Sequence, residues 1–199
     1  MVVQVLLEHF ASVNSRNINV WTPLHMASWH GYPNIARVLL EHEANVNLKN
    51  DTGMTPLWLL SENSGNSEIA QMLLEHGADP NVRSMSNRDS LYVALGKGHM
   101  GVAQLLLKHG ADPSGRGLGG QTLLHISSRK GNWNVTGELL KLGVDVNSRD
   151  DLGKTPLQVA LENGGEEVVQ LLLEHGAKTM SLLHSAGTGP SFERSRFFI

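Results

Sequence analysis

Apolar positions in this chain follow two alternating patterns. In the first, a leucine and a small residue stand three apart behind a Thr-Pro pair, as in Thr22-Pro23-Leu24-His25-Met26-Ala27. In the second, apolar residues recur three and four apart: Ile35, Val38, Leu39; Ile69, Met72, Leu73; Val102, Leu105, Leu106; Val135, Leu139; Val168, Leu171, Leu172. That spacing lays one apolar stripe along one side of a helix. The second pattern stops at a glycine in Gly77, Gly110, Gly143 and Gly176, which suits the left-handed turn that ends a helix. Short turns join the two patterns at His30-Gly31-Tyr32-Pro33, Asn63-Ser64-Gly65-Asn66, Lys97-Gly98-His99, Lys130-Gly131-Asn132 and Asn163-Gly164-Gly165. The expected unit is helix, tight turn, helix, with Thr as N-cap and Pro in the first helical turn.

The unit repeats. Thr22-Pro23-Leu24-His25 returns as Thr55-Pro56-Leu57-Trp58, then as Asp89-Ser90-Leu91-Tyr92, Thr122-Leu123-Leu124-His125 and Thr155-Pro156-Leu157-Gln158. The steps are 33, 34, 33 and 33 residues. A fixed period of this size marks a solenoid, in which each unit buries its apolar face only against its neighbours. Motif and period together resemble the ankyrin repeat, whose pattern includes T-P-L-H-x-A, over residues 2–178. The resemblance implies an all-α ankyrin-repeat solenoid of stacked helix-turn-helix units with short β-hairpin loops. At about 10 Å per repeat it would be a curved rod about 55 Å long.

The register divides residues 1–186 into a partial repeat (1–16), five repeats (about 17–49, 50–83, 84–116, 117–149 and 150–179) and an imperfect terminal helix (180–186); 187–199 form a tail. Leu6-Leu7-Glu8-His9 lies 33 residues before Leu39-Leu40-Glu41-His42, so the chain opens inside a repeat. This fits a piece of a longer protein, and a regulatory or targeting part of a multidomain enzyme or signalling protein is the alternative function. The pattern weakens at Trp58, where a histidine is expected, and at Asp89-Ser90, where Asp can still cap. It weakens again at Gly137 inside a helix, which costs about 1 kcal/mol against Ala. With the glycine-rich loop Gly115–Gly120, these place the greatest mobility at the junction of repeats three and four. That loop matches G-x-G-x-x-G, yet it falls in register on a repeat loop without the βαβ unit a dinucleotide site needs.

Composition narrows the function classes. Net charge is −3 with 18% charged residues, which argues against nonspecific attraction to nucleic acid or anionic membrane. There is no cysteine, so disulfides, thiolate metal sites and Cys nucleophiles are excluded. No run of 18 apolar residues or basic leader is present. The expectation is a monomeric intracellular chain, in cytoplasm or nucleus, with no cofactor and no membrane or nucleic-acid partner. No H-E-x-x-H, G-x-S-x-G, P-loop or EF-hand loop occurs, and a one-layer core offers no deep cleft, so no enzyme activity is expected. By the resemblance, His25 and His125 are structural hydrogen-bonding residues. His42, His76, His109 and His175 stand at helix C-termini, where the dipole favours a proton donor.

What remains is a surface. The resemblance implies that loop tips and first-helix ends line a concave face that binds protein. By register this face carries Trp21, Trp29 and His30 in repeat one, Met54 in repeat two and Arg88 and Lys97 in repeat three. It continues with Gln121, Arg129 and Lys130 in repeat four and Lys154 in repeat five. Trp21 and Trp29 are candidate anchors, with packing against the preceding half-repeat as the structural reading. A cation ladder, Arg16, Lys49, Arg83, Arg116 and Arg149, accompanies them. The cations of repeats three and four have fewer acids nearby and suggest an acidic protein segment as partner.

Overall fold

The computed structural model describes Gln4, His9, residues 11–163 and residues 165–179. The terminal helix at 180–186, the tail and Leu6–Glu8 lie outside the described residues. Ten α-helices are described: α1 Pro23–His30, α2 Pro33–Glu41, α3 Pro56–Glu62, α4 Ser67–Glu75, α5 Ser90–Lys97, α6 Met100–Lys108, α7 Leu123–Arg129, α8 Trp133–Lys141, α9 Pro156–Asn163 and α10 Glu166–Glu174.

The first helix of each repeat starts where a side chain satisfies a free amide. Thr22, Thr55 and Thr122 accept from the amide three residues on, and Asp89 does the same for Tyr92 at 2.8 Å, so the eroded motif of repeat three keeps its helix. The second helices end in a left-handed residue at Gly77, Gly110, Gly143 and Gly176. Repeat one has Glu43 at that place, a non-glycine at φ 59°. The histidine just before the stop donates from Nδ1 to the carbonyl four residues back. His42, His76, His109 and His175 do so at 2.8, 2.7, 2.9 and 2.9 Å. They satisfy carbonyls the helix end leaves free.

The odd-numbered helices pack side by side in one row and the even-numbered helices in a second, and each repeat joins the two rows. The core lies between the rows: Leu24, Ala27, Leu57, Leu60, Leu91, Ala94, Leu123, Leu157 and Ala160 from the first, and Leu39, Leu73, Leu106, Leu139 and Leu172 from the second. Each buried leucine contributes roughly 1.5–3 kcal/mol, and each does so only because the next repeat covers it. This is an all-α repeat solenoid.

The connecting loops carry turns in place of β-ladders. Among the described residues the single strand-like pairing is an isolated bridge, Arg116 with Thr122. Each loop instead closes on one hydrogen bond from a residue's amide to the carbonyl four residues on: Asn17 to Trp21, Asn50 to Met54, Ser84 to Arg88, Gly117 to Gln121 and Asp150 to Lys154.

Neighbouring repeats are also tied by two series of polar rungs. In one, an asparagine after the second helix donates to the carbonyl of the next repeat's stop glycine and accepts from an amide just beyond. Asn47 bonds Gly77 O and Asp79 N, both at 2.9 Å; Asn81 bonds Gly110 O at 3.1 Å and Asp112 N at 2.8 Å; Asn147 bonds Gly176 O at 3.2 Å and Lys178 N at 2.8 Å. The other series passes through the first helices and bears on the candidate face.

Candidate functional site

Three ridges run along the exposed side of the odd-numbered helices, one residue of each per repeat. The first, just before the helix cap, is Trp21, Met54, Arg88, Gln121 and Lys154. The second, at the helix end, is Trp29, Glu62, Gly96, Arg129 and Glu162. The third is His30, Asn63, Lys97, Lys130 and Asn163.

The first ridge is fixed from behind. His25 is fully buried, and its Nε2–H donates to the Met54 carbonyl at 3.2 Å. His125, also fully buried, reaches the Lys154 carbonyl at 2.9 Å. Trp58 takes the same place in repeat two, its Nε1–H donating to the Arg88 carbonyl at 2.9 Å. The ring of Tyr92, at this place in repeat three, lies against Gly117, where any Cβ would overlap it. Three of the five first-ridge residues thus have their backbone held by the preceding repeat.

In both histidines Nδ1 accepts from the threonine N-cap, at 3.1 Å from Thr22 N and 3.2 Å from Thr122 N. With Nε2 donating and Nδ1 accepting, the neutral ring is fully bonded. Burial pushes both rings below the usual histidine range, opposed in part by the carbonyl bonds to Met54 and Lys154.

The N-terminal end of the face is aromatic. Trp21 and Trp29 are half-buried and meet edge to face at 5.8 Å. Together with Met54 and Tyr92 they pack on a second apolar cluster of Trp58, Leu59 and Val93. Among the described residues they pack toward repeats two and three, contacts the sequence reading did not anticipate. His30 is exposed and stacks on Tyr32 at 5.5 Å.

The cations divide into groups. Lys97 pairs with Glu62 of the preceding repeat at 2.7 Å, and Lys154 with Glu162 of its own repeat at 2.8 Å. Arg88 is half-buried, its guanidinium 5.9 Å from the Trp58 ring centroid and its Nε–H on Ser86 Oγ at 3.2 Å. Gln121 is half-buried. Arg129 and Lys130 are exposed at the end of α7, and their side chains make no hydrogen bond or ion pair among the described residues. The ladder arginines serve the loops. Arg116 donates to the carbonyls of Gly120 at 3.0 Å and Arg149 at 3.2 Å, and Arg149 donates to that of Gly153 at 2.7 Å. Register alone puts Glu62 and Glu162 on this face; their pairing with Lys97 and Lys154 is what sequence reasoning missed.

Among the described residues no group of three or more His, Asp or Glu side chains could hold a metal ion, and no helix is long and apolar enough to cross a membrane. The outer row has a shallow groove between α6 and α8, lined by Gln104, Leu107, Lys108, Glu138 and Leu142. The candidate face among the described residues is a set of ridges, a shape suited to contact with another macromolecule.

Family profiles agree with this geometry. A profile of three ankyrin-repeat copies matches residues 42–117 and 91–182, and one of many copies matches residues 6–60. The chain belongs to the ankyrin-repeat family, whose domains are generally protein–protein interaction modules and typically non-catalytic. Comparison with curated proteins finds no match.

Proposed function

We propose that the concave face of repeats three and four binds an acidic segment of a partner protein. Arg129 and Lys130 are the primary contacts, Arg88, Gln121, Lys97 and Lys154 flank them, and Trp21, Trp29, His30 and Met54 extend the face. The observation that carries this reading is the state of Arg129 and Lys130: exposed, adjacent and without an acidic partner among the described residues. Gly96 precedes Arg129 on its ridge, and a side chain built there would meet nothing within 4 Å, so the approach on that side is open. An arginine fork takes a carboxylate at two points, and a lysine adds a charge without fixed geometry.

Lys97 and Lys154 do not oppose this reading. Their ion pairs are partly exposed, and such pairs contribute only about 0–1 kcal/mol. Both lysines can exchange Glu62 or Glu162 for a partner carboxylate at little cost.

The test is affinity capture with mass spectrometry, comparing the intact chain with Arg129→Glu/Lys130→Glu. The expected result is a protein with an acidic segment retained by the first and lost by the second. Equal retention would reject the proposal.

A further inference from the structure

The polar rungs between repeats are complete at three seams and missing at one. Repeats one and two are joined by Asn47 and by His25 to Met54, two and three by Asn81 and by Trp58 to Arg88, and four and five by Asn147 and by His125 to Lys154. Between three and four both series lapse. Ser114 stands in the asparagine place and turns its hydroxyl back to Asp112 Oδ1 at 2.6 Å, with its amide on the same oxygen at 2.9 Å. It is too short to reach the next stop glycine. Tyr92 stands in the histidine place and rests its ring on Gly117.

The auxiliary links follow the same division. Arg37–Glu68 crosses the first seam, Lys97–Glu62 and Met85 N to Thr52 O the second, and Asp151 N to Gly119 O the last. Across the third seam only the loop residue Arg116 bonds forward, to the carbonyls of Gly120 and Arg149; between residues 84–114 and 117–149 no hydrogen bond or ion pair forms among the described residues. The first helices α5 and α7 also pack less extensively than the other neighbouring pairs in their row. On the opposite side, the groove between α6 and α8 opens at the same seam.

We infer that the chain consists of two cooperative blocks, repeats one to three and repeats four and five, hinged at the seam where Tyr92 and Ser114 replace the linking side chains. In a linear stack, cooperativity passes from unit to unit through the nearest-neighbour interface, so one weak interface divides the stack. Gly137 weakens α8 within repeats four and five. This block therefore unfolds first. The three ridges cross the hinge between Arg88 and Gln121, Gly96 and Arg129, and Lys97 and Lys130, so hinge motion changes the spacing of the face.

The test is urea unfolding of the full chain, read repeat by repeat with pulse-labelled hydrogen exchange and mass spectrometry. The expected result is two midpoints about half a molar or more apart, repeats four and five at the lower one. Ser114→Asn restores one rung and should bring the midpoints together. Asn81→Ser removes the same rung at the preceding seam and should draw repeat three toward the lower midpoint. A shared midpoint for all repeats, a division at another seam, or a separation unchanged by Ser114→Asn would overturn the inference.

Discussion

The indole of Trp58 and the carbonyl of Arg88 form the same link, at 2.9 Å, that His25 forms with Met54 and His125 with Lys154. A residue that departs from the repeat motif thus performs the motif's task. Indole and imidazole share the needed feature, an N–H on a rigid ring about the right distance from the backbone.

Trp58→Phe keeps most of the ring and removes the donor. The Arg88 carbonyl keeps its bond from the Ser84 amide, so the loss is that of one hydrogen bond, about 0.5–1.5 kcal/mol. The urea midpoint should fall with an unchanged slope, as judged by circular dichroism. A midpoint within error of the parent chain would show that the bond contributes nothing.

His25 and His125 set a pH dependence. Both folded-state rings titrate below the unfolded value of about 6.5, so the unfolded chain binds more protons in the interval between. Their contribution to stability is complete above that value and is lost as pH falls through it toward the folded values. The slope is at most about 1.4 kcal/mol per pH unit for each ring. Repeat five supplies the control, because Gln158 Oε1 accepts from Thr155 N at 2.9 Å and does not titrate. His25→Gln/His125→Gln should flatten unfolding free energy against pH between about 5 and 7 relative to the parent.

Two glycines in repeat four should respond to alanine in opposite directions. At Gly137, within α8, an added Cβ would find its nearest neighbour, Leu171 Cδ2, at 3.6 Å, an ordinary contact. Gly137→Ala should stabilise by about 1 kcal/mol through helix propensity. At Gly117 the Cβ would enter the Tyr92 ring. Gly117→Ala should destabilise by about 1–3 kcal/mol, and Tyr92→Ala in the same chain should reduce that loss. Thermal melts of the four chains decide both points.

The fold was legible because period and caps are local signals. Thr22, Thr55 and Thr122 cap as the motif implies, and even Asp89 could be read as a cap from its own chemistry. The rungs were not legible, because Asn47 and Asn81 bond backbone groups about thirty residues away, and nothing beside Ser114 in the chain shows what it fails to reach. The ridges came from register alone. Register placed Lys97 and Lys154 on the face, but their pairing depends on side-chain reach across and within repeats. The β-hairpin expectation met turns in place of ladders: the loops close through bonds such as Asn50 N to Met54 O, and one isolated bridge joins Arg116 and Thr122.

The account rests on charge at Arg129 and Lys130 meeting charge on a partner, so the most direct measurement is affinity for the captured partner against salt. Raising NaCl from about 50 to about 300 mM shortens the screening length from roughly 14 to roughly 6 Å. The parent chain should lose affinity steeply over this range, and Arg129→Glu/Lys130→Glu should bind weakly throughout with little salt dependence. Equal affinities for the two chains, unchanged by salt, would contradict the account.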